Sequence, residues 1–330
     1  RQMCIRDSLH SVLRDMADAG IKYVFMEVSA HALYFDKVAG IRFEAGIFTN
    51  CTQDHLDFFG SMKEYAAAKK KLFEGGRCRF SVINADDKLG LEIAASAPSV
   101  VTYGLKNPAD VFAVDIEESI SGVKFVLNLF DELYEIRLNM PAVHNVYNAM
   151  AAATCAKLLG VKTEDVARGL SALKSVPGRL ECAGEYNGAH IFVDFAHTPD
   201  GLEKSLAALR KLCTGKLYCL FGCGGNRDKS KRPLMGAVAA KYADFLIITS
   251  DNPRYEDPFD IITQIEEGVK PSGKAYVTVT DRETATGYAV KLLRAGDILL
   301  VAGKGGETYQ EIMGIKHSYN DNTVIKNIIG

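Results

Sequence analysis

The 330-residue chain carries 39 Lys and Arg against 41 Asp and Glu, a formal net charge of -2, with 48% hydrophobic and 24% charged residues. A length of this order allows two domains of about 100–200 residues each, and the near-neutral balance provides no bulk attraction to nucleic acid or an anionic membrane. No apolar run approaches the roughly 18 residues of a membrane span, and the opening RQMCIRDS lacks the apolar stretch of a secretory signal.

In chain order, residues 1–8 match no element and are set apart as foreign to the native chain. The pattern then predicts a helix around Ser11–Gly20, a strand over YVFMEVS, a second over AGIFTN, and a helix from about Met62 to Phe73. Strands follow in SVINAD, SVVTYG, VKFVLNLF and LYEIRLNM, the last two alternating like a hairpin across Asp131–Glu132. A long Ala-rich helix, Val146–Leu159, and a shorter one from Thr163 close this half. The turn residues of SVPGR, Ser175–Arg179, place the boundary, so the expected domains are 1–175 and 176–330.

The second half alternates strand and helix: HIFVDF, a helix from Pro199 capped by Thr198, LYCLFG, a helix from Pro233, FLIITS, a helix near Ile261, AYVTV, a helix near Arg282, and ILLVAG. Short apolar runs alternating with amphipathic stretches imply βαβ units, hence a Rossmann-like domain with a mostly parallel sheet. Eight cysteines without a CxxC pair suit reduced thiols in a cytosolic protein; Cys219 and Cys223, on a strand and the turn after it, have no further metal ligands beside them.

Three clusters carry chemistry. Glu27 and His55 each follow a predicted strand, the usual place for ligand-facing residues in an α/β sheet. Lys69 lies on the next helix. The first two can converge on a metal-bound phosphate, but Mg²⁺ takes oxygen ligands that a lysine ammonium lacks and a CO₂-derived carbamate would supply. The plainer alternatives are a solvated strand-end acid and, for Lys69–Lys71, a solvated helical face.

The second cluster, GCGGNRDKSKRP, fails as a dinucleotide fingerprint because Arg227 occupies the third glycine position; a turn of consecutive N–H groups beside Arg227 and Arg232 suits an anion. The Gly-Lys pairs at Lys216, Lys274 and Lys304 are not followed by Ser or Thr, so no triphosphate-binding loop is present in these residues. The third cluster is DNPR, Asp251–Arg254. Arg227, Arg254 and Glu307 all follow predicted parallel strands and are expected to face one crevice, where two guanidinium forks and a carboxylate suit a zwitterionic amino acid. A surface turn with loop charges is the alternative.

Taken together, MEVSAHAL, AGIFTNCTQDHLDFFGSMKEYAAAKKKLF, HNVYNAMAAA, VPGRLE, VDFAHTPDGLEK, FGCGGNRDKSKRPLMG, TSDNPRYEDP and VAGKGGETYQ resemble, in order over about residues 9–315, the Mur ligases, and within them the muropeptide tripeptide synthetases. The resemblance implies an incomplete central ATPase-type α/β domain followed by the Rossmann-like one. It implies a cytoplasmic, monomeric, ATP-dependent ligase of peptidoglycan synthesis that adds meso-diaminopimelate to UDP-N-acetylmuramoyl-L-alanyl-D-glutamate through an acyl phosphate, with no nucleic-acid or membrane partner.

By the same resemblance, Glu27, His55 and a carbamylated Lys69 hold two Mg²⁺ ions. Asn145, Asn148, Arg179, Asp194 and His197 contact ATP, with Asp194 at the ribose. Ser29 and Lys37 meet the muramoyl dipeptide. Arg227, Asp251, Asn252, Arg254, Gly303 and Glu307 hold the incoming amino acid, and DNPR selects diaminopimelate because its second carboxylate pairs with Arg254. The chain departs from the family pattern at Ala30, Phe35, Lys37 and Gly306, and in HSYNDNTVIKNIIG, which leaves the last helix unassigned. The phosphate loop and the domain before it are missing. We read that gap as truncation, so the chain alone is expected not to turn over. The competing readings are a lysine-adding or folylpolyglutamate-type ligase and a non-catalytic amino-acid-binding remnant.

Overall fold

The computed structural model describes residues 2–52 and 55–330. The chain divides into two compact units, Arg1–Val114 with Val126–Tyr134 and Tyr147–Ala167, and Asp115–Phe125 with Glu135–Val146 and Arg168–Gly330.

The first half of the chain contains α1 (Gln2–Asp18), α2 (Ala30–Tyr34), β1 (Phe43–Phe48), α3 (Leu56–Phe59), α4 (Met62–Lys70), β2 (Cys78–Asn84), α5 (Lys88–Ala94), β3 (Val100–Gly104), β4 (Val111–Ser119), β5 (Gly122–Leu129), β6 (Glu132–Leu138), α6 (Val143–Leu158) and α7 (Thr163–Ala172). The sheet runs β1-β2-β3-β4-β5-β6, and its first three pairings are parallel. Phe48, Phe73, Cys78, Ile83, Leu89 and Ile93 fill the core beside β1 and β2. Helix α1 starts at Gln2 and so takes in most of the segment set apart at the start; Arg1 lies outside the described residues.

Two expectations are corrected here. YVFMEVS is not a strand: Met26 and Val28 pack on the core, but Phe25 is 83% exposed and no described strand pairs with the segment. Alternation alone does not make a strand, because the backbone N–H and C=O groups need a ladder partner. The hairpin turn sits at Phe130–Asp131, one residue earlier than expected, with both residues left-handed at φ 54° and 66°. Phenylalanine rarely occupies such a position, so residue type pointed past it. Strand β4 escaped notice because acidic residues interrupt its apolar alternation.

The second half contains β7 (Glu181–Tyr186), β8 (Ala189–Asp194), α8 (Pro199–Leu212), β9 (Leu217–Phe221), α9 (Lys231–Tyr242), β10 (Phe245–Ile248), α10 (Pro258–Val269), β11 (Tyr276–Thr278), α11 (Arg282–Leu292), β12 (Ile298–Ala302), β13 (Tyr309–Ile312), β14 (Ile315–Ser318) and α12 (Asp321–Ile329). The sheet order is β11-β10-β9-β12-β8-β7, parallel except for the edge strand β7, as the alternation of strand and helix predicts.

Alternate residues of each strand go to opposite faces. Leu217, Cys219 and Phe221 of β9 join α8, α9 and α10, while Tyr218 and Leu220 join α11 and α12. Helix α8 starts as the sequence predicts: the Thr198 hydroxyl accepts from Gly201 N, and Pro199 occupies the first turn. The unassigned terminus forms α12, capped by Asn320, behind the antiparallel hairpin β13–β14.

Candidate active site

The chain passes from β9 out to β10 and β11 and returns to insert β12 next to β9. Such a reversal opens a crevice at the carboxyl ends of the strands. The glycine-rich turn follows β9, DNPR follows β10 and GKGGE follows β12, three adjacent strands.

Asn252 is 3% exposed; its Nδ2 donates to Glu307 Oε2 at 2.9 Å, and its Oδ1 accepts from Lys304 Nζ at 3.0 Å. Lys304, fully buried, also donates to Glu307 Oε2 at 2.9 Å. Arg254 stands with its Nη1 3.1 Å from where a Cβ on Gly224 would lie, and Arg227 Cγ is 3.6 Å from the same point, so the two arginines flank one glycine. Asp251 Oδ1 accepts from Asn252 N at 2.7 Å, whereas its buried Oδ2 has no partner among the described residues. A Cβ on Gly303 would fall 2.7 Å from that oxygen, and Gly303 has φ +112°; glycine lets the backbone close on the carboxylate. Arg227, Asp251, Asn252, Arg254, Gly303 and Glu307 are thus brought together in one unit.

Sequence reasoning passed over several residues that organise this crevice. Lys304 was weighed only as a failed phosphate-loop lysine. Arg232 is a correction: expected beside Arg227 at an anion-binding turn, it is buried beneath that turn, where Nη1 donates to Glu256 at 2.9 Å and Nη2 to Gly224 O at 3.2 Å, so its charge is already paired inside the fold. Its hydrogen bonds hold the Glu256 carboxyl well below the usual range, at about 2. Arg282, also fully buried, pairs with Asp321 at 2.9 Å and donates to Ala302 O at 2.9 Å, so it anchors the end of β12 just before Gly303. Burial works against its charge, but Asp321 outweighs that and raises its pKa above the ordinary arginine value. An arginine at a helix start reads as a surface residue, so these pairs left no signal in the pattern. Cys219 and Cys223 are buried thiols; burial pushes Cys223 up to about 12, which suits neither a metal nor a nucleophile.

Beside β8, Arg179 lies 4.9 Å over the ring of Phe195, and the His197 ring meets the same phenyl at 4.8 Å. Both are exposed and share this platform. Asp194 is 6% exposed, and its oxygens accept from Leu180 N, Ala196 N and Ser205 Oγ at 2.7, 2.8 and 3.1 Å, which fixes the turn bearing Arg179 and the loop bearing His197. Asn145 is buried on α6, its Nδ2 donating to Pro141 O at 2.7 Å; Asn148, one turn on, is exposed.

In the first unit, Lys69 on α4 lies 5.0 Å from the Tyr65 ring and donates to Asn50 O at 2.9 Å. The His55 ring is 6.0 Å from that tyrosine and 4.8 Å from His31. Tyr65 therefore gathers His55 and Lys69, while Glu27 is exposed on the unpaired segment ahead of α2. No cluster of three or more His, Cys, Asp or Glu suited to a metal exists among the described residues. Ser29 caps α2, its hydroxyl accepting from Ala32 N at 3.2 Å, and Lys37 stands 5.7 Å from the Phe35 ring.

Residues 7–156 match the Mur ligase middle domain, and residues 178–305 match the glutamate ligase domain of Mur ligases. A UDP-N-acetylmuramoyl-L-alanyl-D-glutamate--2,6-diaminopimelate ligase of Caldanaerobacter subterraneus subsp. tengcongensis is 46% identical over 315 residues, 95% of this chain and 65% of that protein. The chain belongs to the Mur ligase family. A ligase of the same name from Geobacillus kaustophilus is 41% identical over 96% of this chain and 67% of its own length. A solved structure of a UDP-N-acetylmuramoyl-L-alanyl-D-glutamate--2,6-diaminopimelate ligase is 34% identical, superposes with a TM-score of 0.64, and covers 98% of this chain and 67% of its own. This Mur ligase chain thus spans about two thirds of the length of these relatives. No helix among its described residues is long and apolar enough to cross a membrane.

Proposed function

We propose that the chain supplies the metal-binding, nucleotide-closing and amino-acid-selecting parts of an ATP-dependent ligase that adds meso-diaminopimelate to UDP-N-acetylmuramoyl-L-alanyl-D-glutamate. The observation that carries this is the approach of Arg254 Nη1 and the Arg227 stem to Gly224, in the same unit as the buried Asn252–Lys304–Glu307 cluster. An amino acid with a carboxylate and an ammonium at its far end matches those charges: the arginines take the carboxylate, and Glu307, held in place by Asn252, takes the ammonium. Lysine has no carboxylate there and would leave Arg254 desolvated without its ligand partner.

In this reading Glu27, His55 and carbamylated Lys69 hold two Mg²⁺ ions, and Asn145, Asn148, Arg179 and His197 close on the nucleotide. Magnesium-bound ATP supplies the phosphoryl group that activates the acceptor carboxylate, and the cation offsets phosphate charge. The chain's own residues do the positioning. Ser29 and Lys37 orient the muramoyl dipeptide, Asp194 meets the ribose and fixes the Arg179 turn, and the far-end clamp holds diaminopimelate. A monomer in the cytoplasm completes the proposal.

The test is calorimetric binding of meso-diaminopimelate and L-lysine to the chain and to Arg254→Lys. A point charge cannot reproduce the planar fork, so the substitution should weaken diaminopimelate by about tenfold or more and leave lysine unchanged. An unchanged diaminopimelate affinity would remove Arg254 from the site and the reading with it.

A further inference from the structure

Residues 310–313, at the end of β13, lie against the DNPR loop. Gln310 Nε2 donates to Asp251 O at 2.6 Å, and Glu311 N donates to Asn252 Oδ1 at 2.9 Å. Arg254 N donates to Glu311 O at 3.1 Å and Met313 N to Arg254 O at 2.7 Å, while Arg254 itself sits at φ 52°. A non-glycine residue holds that left-handed conformation only where its surroundings impose it, and here the strap of β13 supplies two backbone hydrogen bonds. The Glu311 carboxylate then accepts from Arg254 Nε at 3.1 Å, and Gly225 O accepts from Nη1 at 2.8 Å.

A guanidinium has five N–H donors in one plane. These two contacts use Nε and one hydrogen of Nη1, leaving Nη2 and the second hydrogen of Nη1 for a ligand. From this we propose that Glu311 is a specificity-determining positioning residue: it occupies the Nε side of Arg254 and presents only the Nη end to the far carboxylate of the incoming amino acid. The proposal rests on the reading of this crevice as the amino-acid site.

Two effects of Glu311 oppose each other. Its charge gives Arg254 a partner when no ligand carboxylate is present, which softens discrimination against lysine. Its hydrogen bond fixes the plane and edge of the fork, which sharpens recognition of a carboxylate. Arg254 and Glu311 are both mostly buried, at 18% and 23% side-chain exposure, and the Arg254 backbone is already clamped by the same strand. Orientation therefore dominates, because the backbone bonds leave the Arg254 side chain to be fixed by its own contacts, and Glu311 on Nε is the second of the two, with Gly225 O on Nη1, that set the plane of the fork.

Two substitutions in the full chain separate the effects. Glu311→Ala removes charge and acceptor; Glu311→Gln keeps an acceptor oxygen and removes the charge. Calorimetry should show diaminopimelate weakened about tenfold by Glu311→Ala and by about threefold or less by Glu311→Gln, with lysine unchanged in both. Equal losses for the two ligands, no loss, or a stronger preference for diaminopimelate in Glu311→Gln would overturn the proposal. Hydrogen exchange at Arg254 Nε, read by NMR of ¹⁵N-arginine-labelled protein, supplies a readout that needs no ligand. Slow exchange that becomes fast in Glu311→Ala supports the positioning role, and exchange already fast in the unsubstituted chain contradicts it. If the unsubstituted chain bound neither amino acid, the functional reading would fail, and the exchange measurement alone would still decide whether Glu311 holds Arg254.

Discussion

In the second unit, Arg232, Lys304 and Arg282 are fully buried, and each is closed into a pair or network with carboxylates of the same unit. In the first unit, Glu27 is exposed on a segment without strand partners, and His55 and Lys69 are only half-buried beside Tyr65. Buried charges must bring their counter-charges with them, so the second crevice is shaped by the fold itself. In the first set the Tyr65 ring lies beside both His55 and Lys69, His55 also meets His31, and Lys69 donates to the Asn50 carbonyl. Under the proposed function, rigid selection of an amino acid and adaptable binding of a hydrated cation would call for these two different constructions.

The contrast breaks most visibly where a buried pair is cut. Replacing Arg282 by Met strands Asp321 in the interior and should lower unfolding free energy by about 3–5 kcal/mol in urea titrations. A change near zero would mean that the pair is not what fixes the end of β12. Lys304→Met leaves Glu307 and Asn252 without their shared donor, a cost of about 1–3 kcal/mol for buried polar groups. Calorimetry on that variant should also show a weaker ammonium-bearing ligand, since Asn252 and Glu307 lose their alignment.

Acid offers a gentler probe. Arg232 holds Glu256 at about 2 in the folded chain, whereas a free glutamate titrates near about 4.3. A depressed carboxylate stabilises the folded state above its unfolded pKa and loses that contribution as pH falls through the folded value. The stability gap between the chain and Glu256→Gln should therefore be constant from neutral pH to about 5 and close between about 4 and 2. A gap that closed near pH 6 would contradict the assignment. The smallest effect is expected in the first unit: Glu27→Gln should leave the unfolding midpoint unchanged while weakening Mg²⁺ binding measured by calorimetry. A large loss of stability there would erase the contrast.

Much of this was legible in the residues. Apolar runs such as LYCLFG and ILLVAG gave away the parallel sheet because both faces of it are covered, and the loops after three of its strands carry the residues of the proposed amino-acid site. Local pattern failed where a partner decides the outcome. YVFMEVS has the alternation of a strand and no ladder, and Phe130 takes a turn conformation its type disfavours. Glu311 and Lys304 were invisible for the same reason: their meaning lies in Arg254, Asn252 and Glu307, up to 57 residues away.

The most direct test of the account is a paired calorimetric titration of the chain with meso-diaminopimelate and with L-lysine under identical salt and pH. A crevice built around Arg227 and Arg254 should bind diaminopimelate tighter by about tenfold or more. Equal affinities for the two would show that these arginines do not read a second carboxylate, and would contradict the account at its centre.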